Sequence, residues 1–374
     1  MTSRSSTFGK GFRPSCLRTI HLIVLVSVLV AVAASDVAAK ERKKKKAATE
    51  DPYAAYVWPP PPDTGRIKLE AIISGRADVE AKGSSWKKRL IGASPGERYD
   101  RLAKPWGVAF DPQGRLLVTD QENRALIRFD RTGARMDVFG TRTTIRLHEP
   151  MGLTVSGDGT IFVADGLEQK VLAFDSDGEL VAWYGQDGEL VSPTDVAVSP
   201  DGTKLYVADA RAHRVAIFDR TSRKLLTTFG SQGNREGEFA FPTSLGFGPD
   251  GDLFVLDQLN ARIQVLSPDG EYVDEFGGRG VGFGNFVRPK DIAVDEAGLI
   301  YVTDFSFNNF QLFDADFSLL TFIGTGGREP GQFEGASGID VKGDRIAVVD
   351  QLGRRVEIFR FIVPKTAGPA RGDS

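Results

Sequence analysis

Six aspartates, Asp120, Asp165, Asp209, Asp257, Asp304 and Asp350, each close a short apolar run. Arginines follow three of them five residues later, at Arg214, Arg262 and Arg355, while Lys170, Asn309 and Ala125 hold the corresponding places after Asp165, Asp304 and Asp120. A carboxylate beside a guanidinium could act as an acid–base pair or as a structural lock. A catalytic group is needed once per site, whereas a lock is needed once per repeat. The aspartates recur at spacings of 45, 44, 48, 47 and 46 residues, so the pattern predicts a lock, with each carboxylate accepting backbone N–H bonds in a loop.

Other reactive groups are scarce. Past the first 46 residues the chain carries only His148 and His213, and its single cysteine, Cys16, lies before them. A Cys–His nucleophile and a histidine-rich zinc site are therefore unavailable in the body, and both histidines are expected in exposed loops. The run GGRGVGFG (residues 277–284) lacks the Lys-Ser/Thr of a phosphate loop and leads into a strand, so it reads as a connection, like GSQGNREGEF and GTGGREPGQF. The turns SGDGT and SPDGE lack the twelve-residue calcium loop that ends in glutamate.

The elements that must position these groups come from a repeat. The stretch PTSLGFGPDGDLFVLDQLNARIQVL (residues 242–266) recurs as PWGVAFDPQGRLLVTDQENRALIRFD, PMGLTVSGDGTIFVADGLEQKVLAFD, PTDVAVSPDGTKLYVADARAHRVAIFD, PKDIAVDEAGLIYVTDFSFNNFQLFD and ASGIDVKGDRIAVVDQLGRRVEIFR. Each copy carries β-branched and aromatic runs of strand length between Gly-, Pro- and Asp-rich turns, four strands to a copy. A period in the mid-forties with four strands predicts an all-β fold, a six-bladed β-propeller over residues 66–363. The sixth copy stops after three strands, and RIKLEAIISG (residues 66–75) is a strand without a partner ahead of the first. We expect it to supply the missing strand and close the ring, hiding the open edges.

Residues 1–46 read as a signal peptide or membrane anchor. The run from residue 20 to 34 is apolar except for His21 and Ser27, and basic residues flank it on both sides. Fifteen residues suit a signal core and fall short of the ~20 of a spanning helix. The small residues at 37–39 suit a cleavage site, whereas KERKKKK at residues 40–46 resists translocation and favours a cytoplasm-facing body if the segment stays in place. An exported body, periplasmic or membrane-anchored through residues 19–34, is the expectation. YVWPPPPDTG ends a proline-rich linker over residues 47–65 and reads as a stiff spacer unable to enter a sheet. Residues 364–374 form a tail whose final RGDS reads as a chance match. Residues 1–46 carry a net +8 within a chain of −3, which leaves −11 on the remainder. A body so acidic is a poor match for nucleic acid.

The unit G-[VIL]-A-V-x-x-x-G-x-[LI]-[YF]-V-x-D-x-x-x-x-R-[VI]-x-[VI]-F resembles the NHL repeat, in all six copies. The resemblance implies the propeller and leaves activity open, because similar propellers include peptide-amidating lyases, lactonases in related folds, RNA-binding domains and extracellular sensors. The apolar leader and proline-rich spacer ahead of it resemble exported bacterial propellers of unassigned role. Zinc as in the amidating lyases would need more histidines than the body has. Calcium held by oxygen ligands, as in the lactonases, stays open as the alternative. Positions at the starts of the inner strands vary against the constant frame: Trp106, Met151, Thr194, Asp195, Thr243, Ser244, Lys290, Asp291 and Ser337. They are expected to line the channel mouth, where a protein, peptide or glycan would bind without a cofactor.

Overall fold

The computed structural model describes residues 51–60, 65–80, 97–142, 145–186 and 188–362. The leader, residues 81–96 and the tail with its RGDS lie outside them. Residues from Ala55 onward form one compact unit of all-β structure.

Each repeat folds as the turn chemistry dictates, into four antiparallel strands joined by tight hairpins. Blade one comprises Pro105–Phe110, Leu116–Asp120, Ala125–Asp130 and Arg135–Phe139, and four further four-stranded sheets follow in chain order. The sixth sheet takes Ala336–Lys342, Arg345–Asp350 and Arg355–Phe361 from the chain's end and Ile67–Ile73 from near its beginning. Ile67 pairs with Phe361 and Ile73 with Val356, so the ring closes through the strand expected from sequence.

Proline opens the inner strand of five blades, at Pro105, Pro150, Pro193, Pro242 and Pro289. Each pairs with the repeat aspartate, as in Pro105 with Asp120, and the register shifts just beyond it. The first residue of a strand tolerates the missing N–H. The core lies between blades and not within one. Phe162, Val171 and Tyr184 of blade two pack on Val196, Leu205, Val207 and Phe218 of blade three, and the contact between blades six and one joins Val349, Val356 and Ile358 to Val108, Val118 and Ile127. A blade cannot bury its faces alone, so stability depends on a complete ring.

The spacer departs from expectation. Val57 and Trp58 pair with Lys68 and Ile67 as a fifth strand on blade six. These two residues precede the prolines and keep their backbone groups, and Arg66 N–H donates to Trp58 O at 2.7 Å. The Trp58 ring meets Phe359 edge-on at 5.4 Å and lies over Gly331, where a Cβ would come within 2.4 Å of it.

Candidate functional site

The repeat aspartates tie each blade's entry loop to its second strand. Asp120 accepts N–H bonds from Ala103, Lys104 and Asn123; Asp165 from His148, Glu149, Leu167 and Glu168; Asp304 from Val287, Arg288, Ser306 and Phe307. All six are fully buried. Where an arginine follows, it joins the same carboxylate: Arg214 to Asp209 at 3.0 Å, Arg262 to Asp257 and Arg355 to Asp350 at 3.1 Å. The arginines also reach the entry-loop carbonyls, as Arg262 does at Arg235 O and Glu238 O.

The histidines are placed differently from the exposed loops expected. Both are half-buried. His148 Nδ1 lies 2.7 Å from Glu168 Oε1, and His213 Nδ1 accepts the N–H of Phe241. Each bridges a loop, because a ring nitrogen can satisfy a backbone or side-chain partner where a proline-led strand begins.

The varying positions converge at the starts of the inner strands. Trp106, Thr194, Asp195, Thr243, Lys290, Asp291 and Ser337 line one small cavity with Gly152 and Gly338. It holds about 10 Å³, room for roughly one water. Ser244 bonds across it to Asp291, and Met151 Sδ receives Gln121 Nε2 at 2.8 Å. Beneath the mouth the channel widens to about 190 Å³ between Asp195, Asp291 and Asp340, and to about 380 Å³ at its far end beside Asp295, Glu296 and Lys342.

The channel side chains connect neighbouring blades. Asp195 of blade three accepts Leu245 N–H of blade four at 2.9 Å; Asp291 of blade five accepts Ile339 N–H of blade six at 2.8 Å; Asp340 of blade six accepts Phe110 N–H of blade one at 2.6 Å. Hydroxyls act likewise. Thr119 donates to Met151 O, Thr194 to Pro242 O, Thr303 to Ser337 O and Ser337 to Trp106 O. Ser244 Oγ–H donates to Asp291 Oδ1 at 2.5 Å and reaches Asp195 as well. Glycine permits the closest of these contacts, since a Cβ at Gly152 would lie 2.1 Å from Asp195 Oδ1.

Burial and the nearby Asp291 charge push the Asp195 carboxyl well above the usual carboxylate range. Burial raises Asp291 to about 6 and Asp340 to about 7, although the bonds each accepts act the other way. Asp340 was not anticipated. Its signal is an aspartate at the place held by Ala109, Ala197 and Ala293 in other blades. A carboxyl with a raised folded pKa takes up a proton on folding between the unfolded value near 4 and the folded value. Its contribution is greatest at acid pH, falls as pH rises toward about 7, and is flat above. The melting temperature of the native chain should thus fall relative to Asp340→Asn between about pH 4 and pH 7, as paired thermal melts would show. A difference independent of pH would contradict the assignment.

Among the described residues, no group of three or more His, Cys, Asp or Glu is arranged to hold a metal ion. Both oxygens of Asp291 and one oxygen each of Asp195 and Asp340 are engaged by N–H and O–H donors from neighbouring blades. What the mouth offers a ligand is a half-buried Trp106 ring, a half-buried Lys290 amine 4.6 Å from its centroid, and a rim of loops.

Five four-stranded sheets and one of five strands, all built on this repeat unit, make the chain an NHL-type six-bladed β-propeller. A model of the NHL repeat matches residues 102–129, and one described as a 6-bladed beta-propeller matches residues 249–325. Rat peptidylglycine alpha-amidating monooxygenase is 32% identical over 134 residues, covering 32% of this chain and 14% of that protein. The gluconolactonase of Zymomonas mobilis is 27% identical over 186 residues, covering 44% of this chain and 52% of the relative. The chain thus spans about half or less of the curated relatives it matches. The structure of a gluconolactonase from Xanthomonas campestris superposes with a TM-score of 0.56 at 18% identity, over 78% of this chain and 98% of that one. At that identity the likeness is one of fold.

Proposed function

We propose that the chain is an exported or membrane-tethered binding module that engages a protein or peptide partner through the face bearing the channel mouth. The observation that carries this reading is the use of the channel carboxylates as ties between blades, with a cavity of about 10 Å³ at the mouth among the described residues. The surrounding loops support it. The second residue after the repeat aspartate is leucine in blades two, four and six, and Leu167, Leu259 and Leu352 are 63%, 55% and 57% exposed. Blades one, three and five carry Glu122, Arg211 and Ser306 at that place. Exposed leucines on one face are what a partner would cover, and they favour a protein or peptide over a glycan.

A photo-crosslinking residue at position 259 should give discrete adducts in cells, whereas one at position 297, at the far end of the channel, should give none. Equal labelling from both positions, or metal-dependent turnover of a lactone or a hydroxyglycine peptide by the purified chain, would overturn the reading.

A further inference from the structure

The mouth of the channel is opposite in sign to the body around it. Residues 47–374 sum to −11, yet Lys104, Arg288 and Lys290 gather where the inner strands of blades one and five begin. They are interleaved with aromatic rings. The Arg288 guanidinium lies 4.8 Å from the Phe305 centroid, and Lys290 Nζ lies 5.8 Å from Phe305 and 4.6 Å from Trp106.

Lys290 is half-buried, and no carboxylate among the described residues pairs with it. Burial and the neighbouring Arg288 and Lys104 charges bring its amine down to about 8. An ammonium in such a place costs stability until an anion joins it. A second unsatisfied group lies in blade six, where the Gln351 backbone N–H donates to Gly335 O and Gly335 packs against the Phe305 ring. Gln351 is 7% exposed, and its side-chain Nε2 has no hydrogen-bond partner. At the same place in blades one and four, Gln121 and Gln258 send their amides to the next blade's inner strand, at Met151 Sδ and Pro289 O. The same direction from blade six leads to the start of blade one, beside Trp106.

We propose that Lys290 and Gln351 form an anion site for a carboxylate on an apolar or aromatic body, as at the end of a peptide, with the body lying against Trp106 and Phe305. This deepens the binding-module reading and rests on it. A carboxylate would pair with the ammonium, take the free amide N–H and leave the ring contacts in place. A strand of RNA offers anions too, but its affinity needs a basic stripe, and here the positive charge is one spot on an acidic body.

The probes are N-acetylphenylalanine, its amide and galacturonate, each titrated into the purified full chain. Lysines carrying ¹³C-methyl groups, which keep their charge, are followed by NMR, with the Lys290 signal assigned from Lys290→Arg. N-acetylphenylalanine should shift the Lys290 signal saturably and raise its titration midpoint above about 8. The amide and the sugar acid should do neither. Lys290→Met should weaken probe binding at least about tenfold with the melting temperature preserved, and Lys290→Arg should retain binding. Equal effects of acid and amide, an unmoved Lys290 signal, unchanged binding by Lys290→Met, or displacement of the probe by an RNA oligonucleotide would each overturn the site. An unmoved Lys290 with successful crosslinking at position 259 would remove the anion site and leave the binding module standing.

Discussion

Deleting residues 66–75 is expected to abolish cooperative folding. These residues supply the fourth strand of blade six, and Ile67, Leu69 and Ile73 within it are buried. Burying each such side chain contributes about 1.5–3 kcal/mol, so the three together approach the whole stability of a typical domain, about 5–15 kcal/mol. The strand also carries Glu70, whose carboxylate meets Arg131 of blade one and Arg345 and Arg360 of blade six. Without it, blade six keeps three strands and presents an open edge. Far-ultraviolet circular dichroism and thermal melting of the deletion should show a lost or broad transition. A sharp melt at the native temperature would mean that the ring closes by another route.

Asp257→Ala should cost about 3–5 kcal/mol, and Asp304→Ala less. Asp257 accepts Ala240 N–H at 2.6 Å and the Asn260 amide at 2.7 Å, and pairs with the Arg262 guanidinium at 3.1 Å inside the protein. Removing it strands a buried cation with Glu275 as its remaining carboxylate partner. Asp304 accepts backbone N–H bonds only, with Asn309 where blade four has Arg262. Denaturant unfolding of the two variants should rank them in that order. Equal costs would show that the arginine contributes nothing to the lock.

These locks were legible because a propeller needs them once per blade, and the period exposes any residue that recurs. The closing strand was legible for the converse reason, since the sixth copy lacked a strand and residues 66–75 lacked a partner. Trp58 escaped notice because the prolines behind it suggested a spacer, although proline restrains only its own N–H and the residue before it. The ties between blades were not legible either. They join residues far apart in the chain, such as Asp291 to Ile339, Asp195 to Leu245 and Asp340 to Phe110, through side chains whose reach depends on how tightly the ring closes. Thr243 and Ser244 were marked as exceptions to the repeat. The structure gives Ser244 a definite task, bridging Asp195 and Asp291. Among the marked positions, Lys290 stands out as half-buried without an anionic partner.

The central proposal is that the channel aspartates hold blades together and do not hold a cation. Thermal unfolding of the native chain and of Asp291→Ala, each with excess calcium and with a chelator, tests it most directly. A metal bound only by the native state would raise the melting temperature. The account predicts that calcium leaves the native melt unchanged, and that Asp291→Ala lowers it by about 2 kcal/mol of stability in either condition, through the lost bonds to Ile339 and Ser244. A calcium-dependent rise in the native chain that disappears in Asp291→Ala would contradict it and make Asp291 a metal ligand.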